Sequence, residues 1–511
     1  MSSFVWPANY HWAAAPPQPP SGLNSPALAA QPLYNAPTRP PLEHGMLVPW
    51  MFSVWLLGTQ AMGSLGSPDP QSSRQSSRQS SRQPSRQVSR GQSSRQSPKP
   101  RAQSTKPKFQ EVFGWGQVDF AYPSDQARQA AIADGTFIPE NNLPLGIEVW
   151  KDRVFVSVPR WKEGVPATLN VISMNDPSPS PLLTPYPSWE WHQSGNCNGL
   201  TSVFRMKADE CGRLWVIDSG IIDALRTVKV ICPPQLFVFD LETDRLLWKY
   251  EIPKDQNPES ALFTFITVDI RDNDCEDAYA YIADVFRYGL ITYRWKTDSS
   301  WRITHPHFFP DPLVSRYSLD GLTFRWTDGI FGLSLSPVDP VTKDRTMFFH
   351  PMSSFREFEV ATSIIRREGG NLTQEEKDSF FLLGEPRGES NSHASASAMD
   401  RNGIMFYNLV TANSVGCWNS QTHYSPRSQG VVERNSKTLN FPNDLKVDQE
   451  PEQNIWVLSN RLHKYLYSSL DPTDVNFRLL TVPVKEAIKG TVCEPGANIP
   501  SEPVEKCPKK H

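Results

Sequence analysis

The stretch "ESNSHASASAMDRNGIMFYNLV" (389–410) holds the side chains best suited to binding or proton chemistry. "SHASASAM" is too small and polar for an ordinary buried strand. On an innermost strand such residues would line a channel and leave room for a ligand. Asn391, His393 and Ser395 would project hydrogen-bonding groups, and Asn408 on the following strand could join them. His393 is also the candidate general base, provided its imidazole titrates near neutrality. The same small residues equally suit close crowding about an axis, with waters satisfying the hydroxyls, and both readings stay open. "FPNDLKVD" offers Asn443 and Asp444, an amide and a carboxylate that could hold a cation such as calcium. A plain turn in which Asp caps its own backbone is the simpler account of that pair. "NLT" at Asn371 is an N-glycosylation acceptor in a polar loop.

Familiar catalytic signatures are missing. There is no H-E-x-x-H, G-x-S-x-G, Walker loop or G-x-G-x-x-G. The ten histidines are scattered; His305 and His307 in "THPHFF" alternate with Pro and read as surface residues. No spacing speaks for a structural zinc site, and no cofactor is expected.

The elements that must position these residues are short β-strands. From "FGWGQVDFAYPS" onward, runs rich in Val, Ile, Phe, Tyr and Trp alternate with Asp, Gly, Pro and Asn turns. They fall into six sets, from "LGIEVW" to "NFRLLTVPV", recurring every 45 to 65 residues or so. That is the pattern of an all-β, six-bladed β-propeller with four-stranded antiparallel blades. The last set is read as "NDLKVD", "NIWVLSN", "KYLYSSL" and "NFRLLTVPV". Short helices are expected near 124–135 and 373–381.

The blade pattern gives the cysteines a geometry. Cys211, in "ADECGRLWVIDSG", sits in the turn between the first two strands of blade 2, and Cys275 in the equivalent turn of blade 3. Equivalent turns of neighbouring blades lie side by side, so the two can pair. Cys197 starts the innermost strand of blade 2 and Cys232 precedes its third strand; both lie on the opposite face. The expected bridges are Cys211–Cys275 and Cys197–Cys232, leaving Cys417 and Cys493 to pair by elimination. Closing the 64-residue loop between Cys211 and Cys275 is worth about 4 kcal/mol in the chain-entropy model. Cys507 is the odd one, in a tail.

Composition bounds the rest. Lys+Arg (51) nearly balances Asp+Glu (54), which gives no bias toward nucleic acid. Met46–Leu57 is apolar but too short to span a bilayer; with the small residues Ala61–Gly63 it reads as a signal peptide. Residues 1–45 then form a disordered Pro-rich extension, upstream of a start at Met46. Residues 46–63 are the signal, and 64–110 a disordered Ser/Arg/Gln-rich linker with Arg at 74, 78, 82, 86, 90 and 95. A protease-sensitive linker is favoured there over a basic tether to extracellular matrix. Residues 111–495 form the propeller and 496–511 a flexible tail. The mature chain is expected outside the cell, with no membrane segment after signal cleavage.

The chain resembles the insect yellow / major royal jelly protein family. The resemblance is carried by "DGTFIPENNLPLGIEVWKDRVFVSVPRWKEGVPATL", "DECGRLWVIDSG", "CEDAYAYIADVFRYGLITYRW", "FFPDPL", "GIFGLSLSP", "SVGCWNS" and "FPNDLKVD", from about Phe113 to Cys493. The Arg-rich leader is not part of the family pattern. The resemblance implies a secreted six-bladed propeller with roles in cuticle and eggshell pigmentation. Some family members look like dopachrome-converting enzymes, and salivary ones bind biogenic amines in the central channel. The expected function is therefore binding of a small aromatic amine or catechol in support of melanin pigmentation. The alternative is a dopachrome tautomerase, which needs only one positioned base.

Overall fold

The computed structural model describes residues 107–225 and 228–499. The Pro-rich extension, the expected signal, the linker as far as residue 106 and the tail from 500, with Cys507, lie outside the described residues. The β-branched and aromatic runs pair antiparallel into six four-stranded sheets, the blades of a propeller. The innermost strands, in blade order, are Gly146–Trp150, Val203–Ala208, Phe263–Asp269, Ile330–Leu335, Ala394–Met399 and Pro442–Val447. Each packs on the next, and the sixth packs on the first, which closes the ring.

Closure differs in one respect from the strand grouping expected above. The stretch "KYLYSSL" is not a strand: Leu462–Tyr467 is a helix. Leu462 and Tyr465, three residues apart, share the buried face. The outermost strand of blade 6 is instead Gln110–Trp115, which runs antiparallel to Phe477–Pro483. The two ends of the folded body are thus joined in one sheet. Ordered structure also begins before residue 111, because the Lys108 and Phe109 amides donate to Glu433 Oε2 at 2.7 and 2.9 Å. The two expected helices are present as Asp125–Ala133, capped by Ser124, and Gln374–Lys377, whose capping box uses Thr373, the Thr of the Asn371 acceptor.

A recurring Asp ties the first two strands of several blades together. Trp215 Nε1 donates to Asp209 at 2.7 Å, Trp456 Nε1 to Asp448 at 2.9 Å, and Tyr281 OH to Asp269 at 3.0 Å. In each case the acid follows or ends the innermost strand and the aromatic lies in the second. Charge-assisted bonds of this kind are among the stronger ones in a protein. Three disulfides complete the scaffold: Cys197–Cys232, Cys211–Cys275 and Cys417–Cys493. Cys211 therefore clasps blade 2 to blade 3, as its place in the turn suggested.

His305 and His307 are not surface residues of the expected kind. His305 stacks on Phe380 at 4.3 Å and His307 on Phe358 at 4.4 Å. Pro306 between them opens a 3-10 turn, Pro306–Phe308, and both rings lie against Phe side chains.

Candidate functional site

One face of the ring carries the chain segments that lead into the innermost strands. Over blades 5 and 6 this mouth is covered by a hairpin, Arg316–Leu319 paired with Leu322–Arg325. Its tip, Asp320-Gly321, has φ of 50° and 78°, the left-handed pair that a two-residue hairpin turn needs. Asp320 pins the tip by accepting from Asn440 Nδ2 at 2.8 Å and His463 Nε2 at 3.1 Å and by pairing with Lys464 at 3.2 Å. Beneath the hairpin lies a run of aromatic rings. Tyr317 stacks on Phe324 at 5.3 Å and on His393 at 3.8 Å, and Trp326 meets Phe441 edge-on at 5.9 Å. Phe324 stacks on Tyr467 at 4.8 Å.

Asp328 stands where the hairpin segment enters the innermost strand of blade 4, two residues before Ile330. Its carboxyl is partly exposed yet closely surrounded by protein, and among the described residues no cation pairs with it. Burial pushes its pKa up to about 7. The groups in its field are Tyr288 and Tyr317, whose own pKa values are raised, chiefly by burial. A carboxyl that titrates near neutrality beside aromatic rings can accept a proton from carbon or hold an ammonium. Sequence reasoning passed over Asp328. The available signal was an acid in "RWTDGIFG" where the other blades carry Pro144, Thr201, Ala261, Ser392 or Asn440 two residues before the innermost strand.

The residues singled out from sequence have separate neighbours. Asn391 is exposed, with φ 54°. His393 is 2% exposed; Nε2 donates to the Val314 carbonyl at 2.7 Å and Nδ1 accepts from Thr411 Oγ1 at 3.3 Å. Burial lowers its pKa to about 4, so it is neutral and serves to seat the hairpin. Ser395 Oγ donates to Pro442 O at 3.0 Å, which joins blade 5 to blade 6. Asn408 is fully buried on the second strand of blade 5, and neither amide atom has a partner; Ser397 and Ser414 hydroxyls in the same blade are also unpartnered. Asn371 is exposed.

Asn443 and Asp444 lie on the ring axis, and an arginine occupies their acceptors. Arg205, 1% exposed, points from blade 2 across the channel. Its Nε meets Asp444 Oδ1 at 3.2 Å, and its Nη2 donates to Asn443 Oδ1 at 2.8 Å. The Ile147 amide of blade 1 donates to Asp444 Oδ2 at 2.8 Å. The guanidinium lies 4.7 Å over Phe331 and 5.4 Å from Phe265. It thus bridges blades 2, 3, 4 and 6 and plugs the axis. Among the described residues no group of three or more His, Cys, Asp or Glu is placed to hold a metal ion.

These features define a class: a disulfide-clasped six-bladed propeller whose axis is plugged by a buried ion pair and whose mouth is covered by a hairpin over aromatic rings, with a carboxyl that no cation pairs among the described residues. The family model for major royal jelly protein matches residues 201–493. Protein yellow of Drosophila yakuba is 45% identical over 392 residues, which is 76% of this chain and 71% of that protein. Dopaminechrome tautomerase of Drosophila melanogaster is 43% identical over 391 residues, 75% of this chain and 84% of that one. The chain belongs to the yellow / major royal jelly protein family. Among solved structures, virginiamycin B lyase from Staphylococcus aureus covers 67% of this chain and 96% of its own at 12% identity and a TM-score of 0.36, a likeness that carries no argument.

Proposed function

We propose that this protein acts outside the cell in melanin pigmentation, taking a small aromatic amine or catechol-derived ring at the hairpin-covered mouth. The observation that carries this reading is Asp328, a carboxyl without a counter-ion among the described residues, next to a bank of aromatic rings. The rings stack on a flat ligand and the carboxylate meets its ammonium. An ammonium arriving there would also hold Asp328 ionised. Secretion is supported by the apolar Met46–Leu57 segment and by three disulfides, which persist in oxidising compartments. No helix among the described residues is long and apolar enough to cross a membrane. The exposed Asn371 is the proposed glycan site.

A second reading, tautomerisation of an aminochrome, is favoured by the near-neutral pKa of Asp328 and by the tautomerase among the relatives. Asp328 would take a proton from a saturated ring carbon, the electron pair would move into the quinone, and a quinone oxygen would gain a proton. Atoms and electrons balance without an oxidant or cofactor. The deciding experiment pairs calorimetry with dopamine and serotonin with a turnover assay on dopaminechrome and dopachrome. Micromolar binding without turnover, weakened about tenfold or more in Asp328→Asn, supports the binder. Turnover lost in Asp328→Asn and kept in His393→Gln supports the enzyme. Neither binding nor turnover would sink both.

A further inference from the structure

Two sets of aromatic rings stand near Asp328, and only one of them is open to solvent. Beneath the hairpin, Tyr317, Phe324, Trp326 and Phe441 are each at most 6% exposed. A ligand reaches their faces only by displacing the hairpin. The second set is Tyr288 and Phe309. Tyr288 lies in the turn between the second and third strands of blade 3, Tyr279–Asp284 and Gly289–Arg294. Phe309 is 46% exposed, Tyr288 is partly exposed, and their rings are 4.7 Å apart. Tyr288 OH donates to the carbonyl of Thr327, the residue before Asp328, at 3.2 Å.

Two features of the backbone hold Tyr288 in that place. Its own conformation is left-handed, with φ 51°. Bulky side chains are rare there, because Gly, Asn or Asp adopts it with less strain. Phe441 apart, the other described non-glycine residues at positive φ are polar or charged. The second feature is Gly329, directly after Asp328. A Cβ at this position would collide with the Tyr288 ring and with the Phe308 carbonyl oxygen. The chain thus accepts strain at one residue and forgoes a side chain at another, and the result is a ring laid against the Asp328 segment. Strain retained around a partly exposed aromatic ring beside an unpaired carboxyl points to function.

We infer that Tyr288 and Phe309 are the ring-recognising residues of the mouth, stacking a flat aryl group of the ligand whose amine or acidic carbon meets Asp328. The inference rests on the mouth reading proposed above and fixes where in it the ring lies. Open π-faces beside a carboxyl suit an arylalkylamine better than a ringless amine. The sealed rings under the hairpin then support the mouth from below.

The test is calorimetry on the purified full chain with dopamine and, as a ringless probe, butylamine. Wild type should bind dopamine more tightly. Phe309→Ala and Tyr288→Asn should each weaken dopamine about tenfold, the worth of a good aromatic pair, and leave butylamine unchanged. Phe309 is exposed enough for its variant to fold, and Asn accepts a left-handed backbone. Gly329→Ala keeps both rings and the carboxyl, and should still weaken dopamine by displacing Tyr288. Dopamine affinity unchanged in both ring variants but lost in Asp328→Asn would overturn the inference and leave the mouth reading standing. Equal losses for dopamine and butylamine in the ring variants would also overturn it, reducing the two rings to packing. A wild type that binds neither amine overturns both.

Discussion

The two ends of the propeller axis are built on opposite plans. At the hairpin-covered mouth, Asp328, in the field of Tyr288 and Tyr317, is a carboxyl with no cation among the described residues. At the far end each ammonium stands beside a carboxylate, Lys207 3.5 Å from Glu148 and Lys446 3.8 Å from Asp444. Between them Arg205 and Asp444 form a pair with both side chains at most 1% exposed. A single mid-axis ion pair, satisfied on nearly every atom, separates a mouth with an unpaired carboxyl from an end where ammonium and carboxylate groups alternate. The difference arises from side chains that the strand pattern alone treats alike.

The largest expected effect comes from breaking the plug. Asp444→Ala leaves Arg205 buried without its partner and should destabilise the domain by about 3–5 kcal/mol, measured by urea unfolding. A loss below ~1 kcal/mol would mean that the axis is hydrated and the two ends are not separate. Next is the clasp on the far face. Replacing Cys211 and Cys275 together by Ser should cost about 2–4 kcal/mol, more than any single hydrogen bond at the mouth. An unchanged Tm would show that blades 2 and 3 are held by packing alone.

Asp328 gives a pH signature. Its folded pKa, about 7, stands above the unperturbed 3.8. Between these values the folded state keeps a proton that the unfolded chain has released. The carboxyl is therefore without effect below about pH 4 and increasingly destabilising as pH rises to 7. Asp328→Asn should flatten that slope and, above pH 7, be about 1–2 kcal/mol more stable than wild type, the partial exposure of the group reducing the full effect. Parallel stability profiles for the two proteins would remove Asp328 from the contrast. The smallest effect is Tyr317→Phe, which removes the bond from Tyr317 OH to the Met352 carbonyl at 2.9 Å. It should cost about 1 kcal/mol and loosen the hairpin, seen as faster amide exchange at residues 316–325. Exchange confined to other loops would detach the hairpin from the mouth.

Much of the architecture was legible in the chain. Alternating Val, Ile, Phe and Trp runs between Asp and Gly turns mark strands, because a half-buried pleated surface selects those residues. Cys211–Cys275 and Cys197–Cys232 followed from the same grouping, because positions in turns or strand starts limit which partners come within reach, and Cys417–Cys493 followed by elimination. One part of blade 6 was misread. "KYLYSSL" looks like a strand by alternation, but Leu462 and Tyr465 share a helical face, and the strand that belongs there comes from residues 110–115, far away in sequence.

The candidate site was far less legible, and the reason is physical. "SHASASAM" announced small polar residues near an axis, yet what each one meets depends on neighbours remote in sequence. His393 meets Val314 and Tyr317, and Ser395 meets Pro442. Asp444 was visible as an acid, and only the ring brings Arg205, 239 residues away, to within 3.2 Å of it. Asp328 drew no attention in the sequence; only the fold encloses it and, among the described residues, leaves it without a cation. Strand, turn and disulfide follow from local pattern, because they depend on residues near in sequence or on equivalent positions of a repeat. Protonation state, ion pairing and the character of each channel end follow from burial and charge accounting across the ring, which the tertiary structure alone decides.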